Sequence, residues 1–283
     1  IQRLDLNQIV LDVGPQESAR IYDQVDGSLV GMVMRDACHS ESATTFVDAA
    51  IKRMVETRTT SRVSDVGSIP IFGHSAGSRS AMSFDWVKNL KGKFSTDEHD
   101  ENVKGASAFA LFWNMVRTVA PVEVLNDFDN FLQSSGIRRM DARGEIPYNH
   151  KTGQGNYTIE LLAFTFHGAE LAPPAGICAR NYARFMHAEN QPHTYAIAWT
   201  TSREVDPSAS ALDNGCHFFL ASHGVRFQAS RNSLLVWQPK LLHGTSLPLQ
   251  DPRKSATQFL QQGLSFVTSS RLLGAWEEYE ENE

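Results

Sequence analysis

The sequence contains no apolar run approaching the roughly 18–20 residues a membrane helix needs, which excludes a helical span. Cysteine is scarce: Cys38, Cys178 and Cys216 are few, odd in number and widely spaced. Such a set makes neither a disulfide framework nor a Cys-x-x-Cys metal site, and it predicts a reducing, intracellular setting. The opening stretch IQRLDLNQIV is polar and lacks the apolar core of a signal peptide. Internal repeats and long low-complexity tracts are also missing. Net charge is −6, yet nine acids sit in just two places, residues 97–101 (DEHDE) and 277–283 (EEYEENE). Without them the balance becomes +3, so the overall acidity neither excludes nor favours a nucleic-acid partner. What remains is an ordinary globular composition, 41% hydrophobic and 20% charged over 283 residues, ample for a real core.

The first hundred residues read as mixed α/β. Residues 19–24 and 28–35 flank Asp26-Gly27, a hairpin turn signal. Residues 44–57 have helical spacing, with Phe46, Ala49, Ile51 and Met54 apolar, and 80–90 predicts a second helix. Residues 91–104 are polar, charged and glycine-containing, which reads as an exposed linker. From 106 to 132 the pattern is helical with a break near Pro121. Past residue 140 short strands dominate: 157–166, 179–185, 194–200, 217–221, 225–228, 234–238 and 258–267, with a closing helix over 270–279. Strand after strand with turn residues between them points to a β-sandwich or open barrel. The expected organisation is α+β, with an N-terminal α/β extension over 1–105 packed on a core over 106–283.

Two constellations carry chemistry. Gly73-His74-Ser75-Ala76-Gly77 matches the nucleophile elbow of α/β-hydrolases, which would make Ser75 a nucleophile, His243 its base and Asp206 or Asp213 the acid. That fold alternates strands with helices after the elbow, whereas this chain runs strand on strand after residue 150. The bland alternative is a Gly/Ser-rich turn. The second constellation is His187-Ala188-Glu189. Residues two apart on an extended segment share a face, so both side chains can reach one metal ion. His243 follows after the strand 234–238. Two imidazoles and a carboxylate are the facial triad of non-haem Fe(II) oxygenases, a set that leaves three cis positions open. Arg253, ten positions after His243, is a cation suited to a bidentate pair with a distal carboxylate.

The segments NYARFMHAENQPHTYAIAW, VRFQASRNSLLVWQPKLLHGTSL and QQGLSFVTSSRLLGAW resemble the core of Fe(II)/2-oxoglutarate dioxygenases, in particular the TET and J-binding-protein branch and its fungal members. The resemblance covers about a third of the chain closely, residues 181–267. It implies a double-stranded β-helix (jelly-roll or cupin-like) core with helices on one face. It implies Fe(II) held by His187, Glu189 and His243, with glutamate standing where most members have aspartate. Further implied are 2-oxoglutarate as co-substrate anchored by Arg253, and Asn181 and Tyr182 as co-substrate contacts. The reaction implied is oxidative decarboxylation coupled to hydroxylation of a C–H bond.

The same resemblance implies a methylated base as substrate, most simply 5-methylcytosine in DNA, flipped out of the stack. DNA is then the expected partner and the nucleus the expected location. Asn214 and His217 become candidate substrate contacts. Arg79 and the basic run Lys52, Arg53, Arg58 and Arg62 become candidate phosphate contacts, although a charged helix face is most often just solvated. Trp113, Trp199, Trp237 and Trp276 are expected in the core. The alternatives are a dioxygenase acting on a protein or small metabolite, and the serine hydrolase built on Ser75.

Overall fold

The computed structural model describes residues 5–93, 98–205, 215–248 and 259–282. Short strand β1 (Leu11–Val13) is followed by the hairpin β2 (Ala19–Tyr22) and β3 (Leu29–Met34), turning at Asp26-Gly27 as its sequence predicts. Helix α1 (Glu41–Thr57) starts where the Ser40 hydroxyl accepts the Ala43 amide, satisfying one of the unpaired donors of the first turn. Its buried face carries Phe46, Val47, Ile51 and Met54.

Next come β4 (Val66–Ser68), β5 (Ile71–Gly77) and β6 (Met82–Trp86). The helix expected over 80–90 is therefore strand β6. Its buried residues are Phe84 and Trp86, an alternation of period two that the helical reading passed over. The linker expected over 91–104 ends early, because helix α2 (Glu98–Val119) begins inside it. The acids of its first turn, Glu98, Asp100 and Glu101, favour the positive end of the helix dipole. Residue 105, where the sequence suggested a boundary, lies within α2. Gly105 brings that helix onto the sheet: an added Cβ there would sit 2.3 Å from the Phe72 ring. Helix α3 (Val122–Ser135) follows the break at Pro121 and ends at Gly136, which adopts φ +61°.

The strand expected over 157–166 is a hairpin, β7 (Gln154–Ile159) and β8 (Phe164–Glu170). Then come β9 (Ala175–Ala183), β10 (Ala196–Glu204), β11 (Phe218–Leu220), β12 (Val225–Phe227), β13 (Ser233–Trp237), β14 (His243–Thr245), β15 (Leu260–Phe266) and helix α4 (Ser270–Asn282).

Among the described residues the strands form one large antiparallel sheet in the order β2-β3-β13-β10-β15-β9-β5-β6, with β4 also paired to β9. A smaller sheet runs β1-β12-β11-β14, antiparallel except for β1 beside β12. The architecture is α+β. The N-terminal strands are hydrogen-bonded into the same sheets as the C-terminal ones: β3 pairs β13 and β5 pairs β9. Helices α1 and α2 join the large sheet through an aromatic core. Phe72 stacks on Phe109 at 5.6 Å, and Phe112 stacks on Phe266 at 4.5 Å. Trp113 meets Phe266 edge-on at 5.6 Å. All four expected core tryptophans are buried.

Candidate metal centre

The chain leaving β9 does not turn away from the sheets. Residues 184–189 lie antiparallel to 239–245. The Arg184 amide donates to the Thr245 hydroxyl at 2.8 Å, and the Thr245 amide to the Arg184 carbonyl at 2.9 Å. His187 and His243 exchange both backbone hydrogen bonds at 2.9 Å, and the Glu189 amide donates to the Pro239 carbonyl at 2.8 Å. This pairing places His243 directly opposite His187, with ring centroids 4.3 Å apart. Glu189 falls on the same face.

The two imidazoles are held alike. His187 Nδ1 lies 2.8 Å from the carbonyl oxygen of Phe185, and His243 Nδ1 lies 2.8 Å from that of Leu241. A carbonyl can only accept, so each Nδ1 carries the hydrogen, and in the neutral ring Nε2 is left with the lone pair that a metal would take. His187 Nε2 is 3.5 Å from Glu189 Oε1, and one ligand atom from each of the three residues lies within 4.8 Å of the others. The His187 ring, with further help from Arg62 and Arg184, holds the Glu189 carboxyl down at about 2 against the opposing effect of burial. Burial, first of all, lowers the pKa of His243. Three electron-pair donors thus converge, two imidazole nitrogens and an ionised carboxylate. Like-signed lone pairs at this spacing are stabilised by a cation among them, so the donor set fits a divalent metal of the facial-triad kind.

Two guanidiniums share the carboxylate. Arg184 Nη1 donates to Glu189 Oε1 at 2.7 Å and Arg62 Nη2 donates to the same oxygen at 2.8 Å. Beside them, the Tyr182 hydroxyl donates to Asp65 Oδ2 at 2.7 Å, and Arg184 Nε stands 3.8 Å from that oxygen. Burial pushes the Tyr182 phenol well up, so it remains a neutral donor. The triad opens on a cavity of 560 Å³ over the inner face of the large sheet. Among the described residues its lining includes five arginines (Arg35, Arg62, Arg79, Arg184 and Arg271) and a single carboxylate, Glu189.

The other candidate residues separate into three groups. Tyr182 and Arg79 line the cavity, Arg79 as an exposed residue. Asn181 and His217 are buried in the sheets and absent from the lining. Asn181, at φ +51°, clamps β15: its amide donates to the Phe259 carbonyl at 3.2 Å and its oxygen accepts the Gln261 amide at 2.7 Å. His217 Nδ1 accepts the Ala229 amide at 2.9 Å. Arg253, Asn214, Asp206 and Asp213 lie outside the described residues. Within the basic run, Arg58 is 1% exposed and donates to Asn89 and Asn102, while Arg53 pairs with Glu101; only Arg62 reaches the cavity.

Ser75 does line the cavity, but it sits within strand β5, with no strand-to-helix turn to expose it as a nucleophile. His243 stands with His187 and Glu189. The hydrolase reading therefore lacks its elbow. Sequence reasoning missed Arg184 and Asp65. Arg184 stands three positions before His187, inside the segment that carries the resemblance, and that proximity was the available signal. For Asp65 there was none.

No protein-family model matches the chain, and no curated protein matches it in sequence. Solved structures match it in fold. The structure of NgTET1 in complex with 5mC DNA superposes with a TM-score of 0.54 at 8% identity, over 95% of this chain and 86% of that one. A prolyl hydroxylase from Trichoplax adhaerens, in complex with a hypoxia inducible factor peptide fragment, gives 0.39 at 8% identity over 86% and 85% of the two chains. A Pseudomonas putida prolyl-4-hydroxylase gives 0.36 at 9% identity over 83% and 90%. At such identity the likeness to NgTET1 is one of fold.

Proposed function

We propose that the chain is a non-haem Fe(II) dioxygenase that uses 2-oxoglutarate and oxidises the methyl group of a methylated nucleobase, 5-methylcytosine in DNA, in the nucleus. On this reading the two sheets are the walls of a double-stranded β-helix. The observation that carries it is the convergence of two imidazole nitrogens and a carboxylate oxygen on the lining of a large cavity. The fold shared with NgTET1, which was solved in complex with 5mC DNA, supports the nucleobase. So does the excess of arginine over acid in the cavity lining, since phosphates need cations nearby.

His187 and His243 would hold the metal through Nε2, with their Nδ1 hydrogens anchored on carbonyls so that neither ring rotates. Glu189 supplies the anionic ligand. Bound iron supplies the activation of dioxygen and the oxidation of the co-substrate. The apolar part of the lining, with Ile71, Ile177, Leu235 and Leu264, excludes water from the substrate's C–H bond.

The test is anaerobic titration of the metal-free protein with Fe(II) and then 2-oxoglutarate, following the weak charge-transfer band in the visible. A band that is lost in His243→Ala is the expected result. A protein that binds neither overturns the reading. A methylated duplex then tests the substrate: affinity falling steeply with salt is expected, and salt-insensitive or absent binding moves the substrate to a protein or small metabolite.

A further inference from the structure

Glu189 Oε1 is an overcommitted atom. A carboxylate oxygen offers about two lone-pair directions, and both arginines donate to this one at 2.7 and 2.8 Å. The same oxygen lies 3.5 Å from His187 Nε2. A metal ion drawing on this oxygen competes with the guanidiniums for the same electrons. If the metal takes Glu189, Arg62 and Arg184 lose their shared counter-charge in a cavity with no other carboxylate among its described lining residues. Asp65 offers Arg184 a long ion pair, 3.8 Å from Oδ2 to Nε, through an oxygen that already accepts the Tyr182 hydroxyl. That Nε is itself buried without a hydrogen-bond partner, so donor capacity already exceeds what the protein supplies.

We propose that Arg62 and Arg184 form an anion seat that Glu189 fills in the metal-free protein, so that a divalent metal ion and an anionic oxygen of a ligand bind cooperatively. The metal draws Glu189 out of the seat, and the ligand's anionic group replaces it. The ligand chemistry is a carboxylate or a phosphate-like oxyanion, brought by co-substrate or by substrate. The inference rests on the metal-centre reading for its coupling and on the arginine geometry alone for the seat.

Calorimetric titration of the full chain with Mn(II), a redox-silent probe, measures the coupling without turnover. It is run alone, with glutarate, which carries carboxylates but no chelating keto group, and with sulfate as the phosphate-like anion. One of the two anions is expected to tighten Mn(II) binding about tenfold, within the usual range of coupling between sites, and which one does so identifies the source. In Arg62→Ala, whose side chain is 40% exposed and carries little of the fold, Mn(II) is expected to bind more tightly without anion and the anion effect to vanish. Arg184→Lys provides a second variant that retains charge while losing the planar fork. Metal-free Glu189→Ala is expected to bind the same anion, which metal-free wild type does not. Mn(II) affinity indifferent to both anions and to Arg62→Ala overturns the coupling and leaves the metal centre standing. Failure of wild type and Arg62→Ala alike to bind Mn(II) instead overturns the metal centre. Absence of anion binding by metal-free Glu189→Ala overturns the seat itself.

Discussion

His193 gives a stability prediction with its magnitude set by its surroundings. The residue is 5% exposed and its ring lies against Phe128 and Phe131, with centroids 4.4 and 5.3 Å away. Nδ1 lies 2.7 Å from the Tyr195 carbonyl oxygen and therefore carries the hydrogen. Nε2 is buried with no partner. Protonation would place a second N–H and a charge where nothing accepts them, and burial lowers the imidazole pKa to about 4. The unfolded chain, with a value near 6.5, takes up this proton earlier. The stability contributed by neutral His193 is thus complete above pH 6.5 and is lost as the pH falls towards 4. The full loss is about 3 kcal/mol, of which about 2 kcal/mol falls between pH 7 and pH 5. The perturbation is His193→Asn, which keeps a donor for the Tyr195 carbonyl and removes the titration. Urea denaturation at half-unit pH intervals is the assay. Wild type should lose stability over this window by about 2 kcal/mol more than the variant does, even though the variant is weaker at pH 7. Parallel pH profiles, or an NMR titration placing the imidazole near 6.5, would refute the reasoning.

Three further outcomes follow from packing and burial. Gly67→Ala should destabilise by about 3 kcal/mol in urea, because Gly67 has φ +84° and its Cβ would lie 2.2 Å from the Asn181 carbonyl oxygen; a change below 1 kcal/mol would show that β4 moves freely. Phe112→Ala should cost about 3–5 kcal/mol, since the ring is fully buried and stacked on Phe266; a loss near 1 kcal/mol would mean that the aromatic core collapses around the gap. Cys216, its thiol pushed up to about 12 by burial, and Cys178, pushed higher still, should resist a thiol reagent until the protein unfolds, leaving Cys38 alone to react at once. Labelling counted by mass spectrometry checks this, and rapid modification of Cys178 would contradict its burial.

Elements with a strong local signal were legible in the sequence. The β2–β3 hairpin announces itself through Asp26-Gly27, α1 through its apolar spacing, and the α2–α3 junction through Pro121. His187 and Glu189 could be placed on one face from extended geometry alone. Their grouping with His243 came from ligand type and could not be placed by local geometry, because the pairing of 184–189 with 239–245 joins segments fifty or more positions apart. Strand β6 was misread because Phe84 and Trp86 are only two inward positions, too few to outweigh a helical pattern. The charged run at 97–101 looked like a linker because helix N-termini and loops favour the same residue types. Arg62 and Asp65 were out of reach as partners of the triad. Arg62 lies 127 positions from Glu189, and Asp65 lies 117 from Tyr182; no periodicity encodes such a contact.

The way β3 is paired has a consequence during synthesis. Its partner on the large sheet is β13, where Met34 faces Leu234, and β1 waits even longer, with Leu11 beside Val225. A ribosome must therefore deliver about 200 further residues before β3 meets β13 or β1 meets β12. Until then the hydrophobic run Leu29–Met34 has only β2 on one side and an open edge on the other. Closure over such a distance is entropically slow. The nascent chain should accordingly engage holdase chaperones through this hairpin, and release from them should await the emergence of β13.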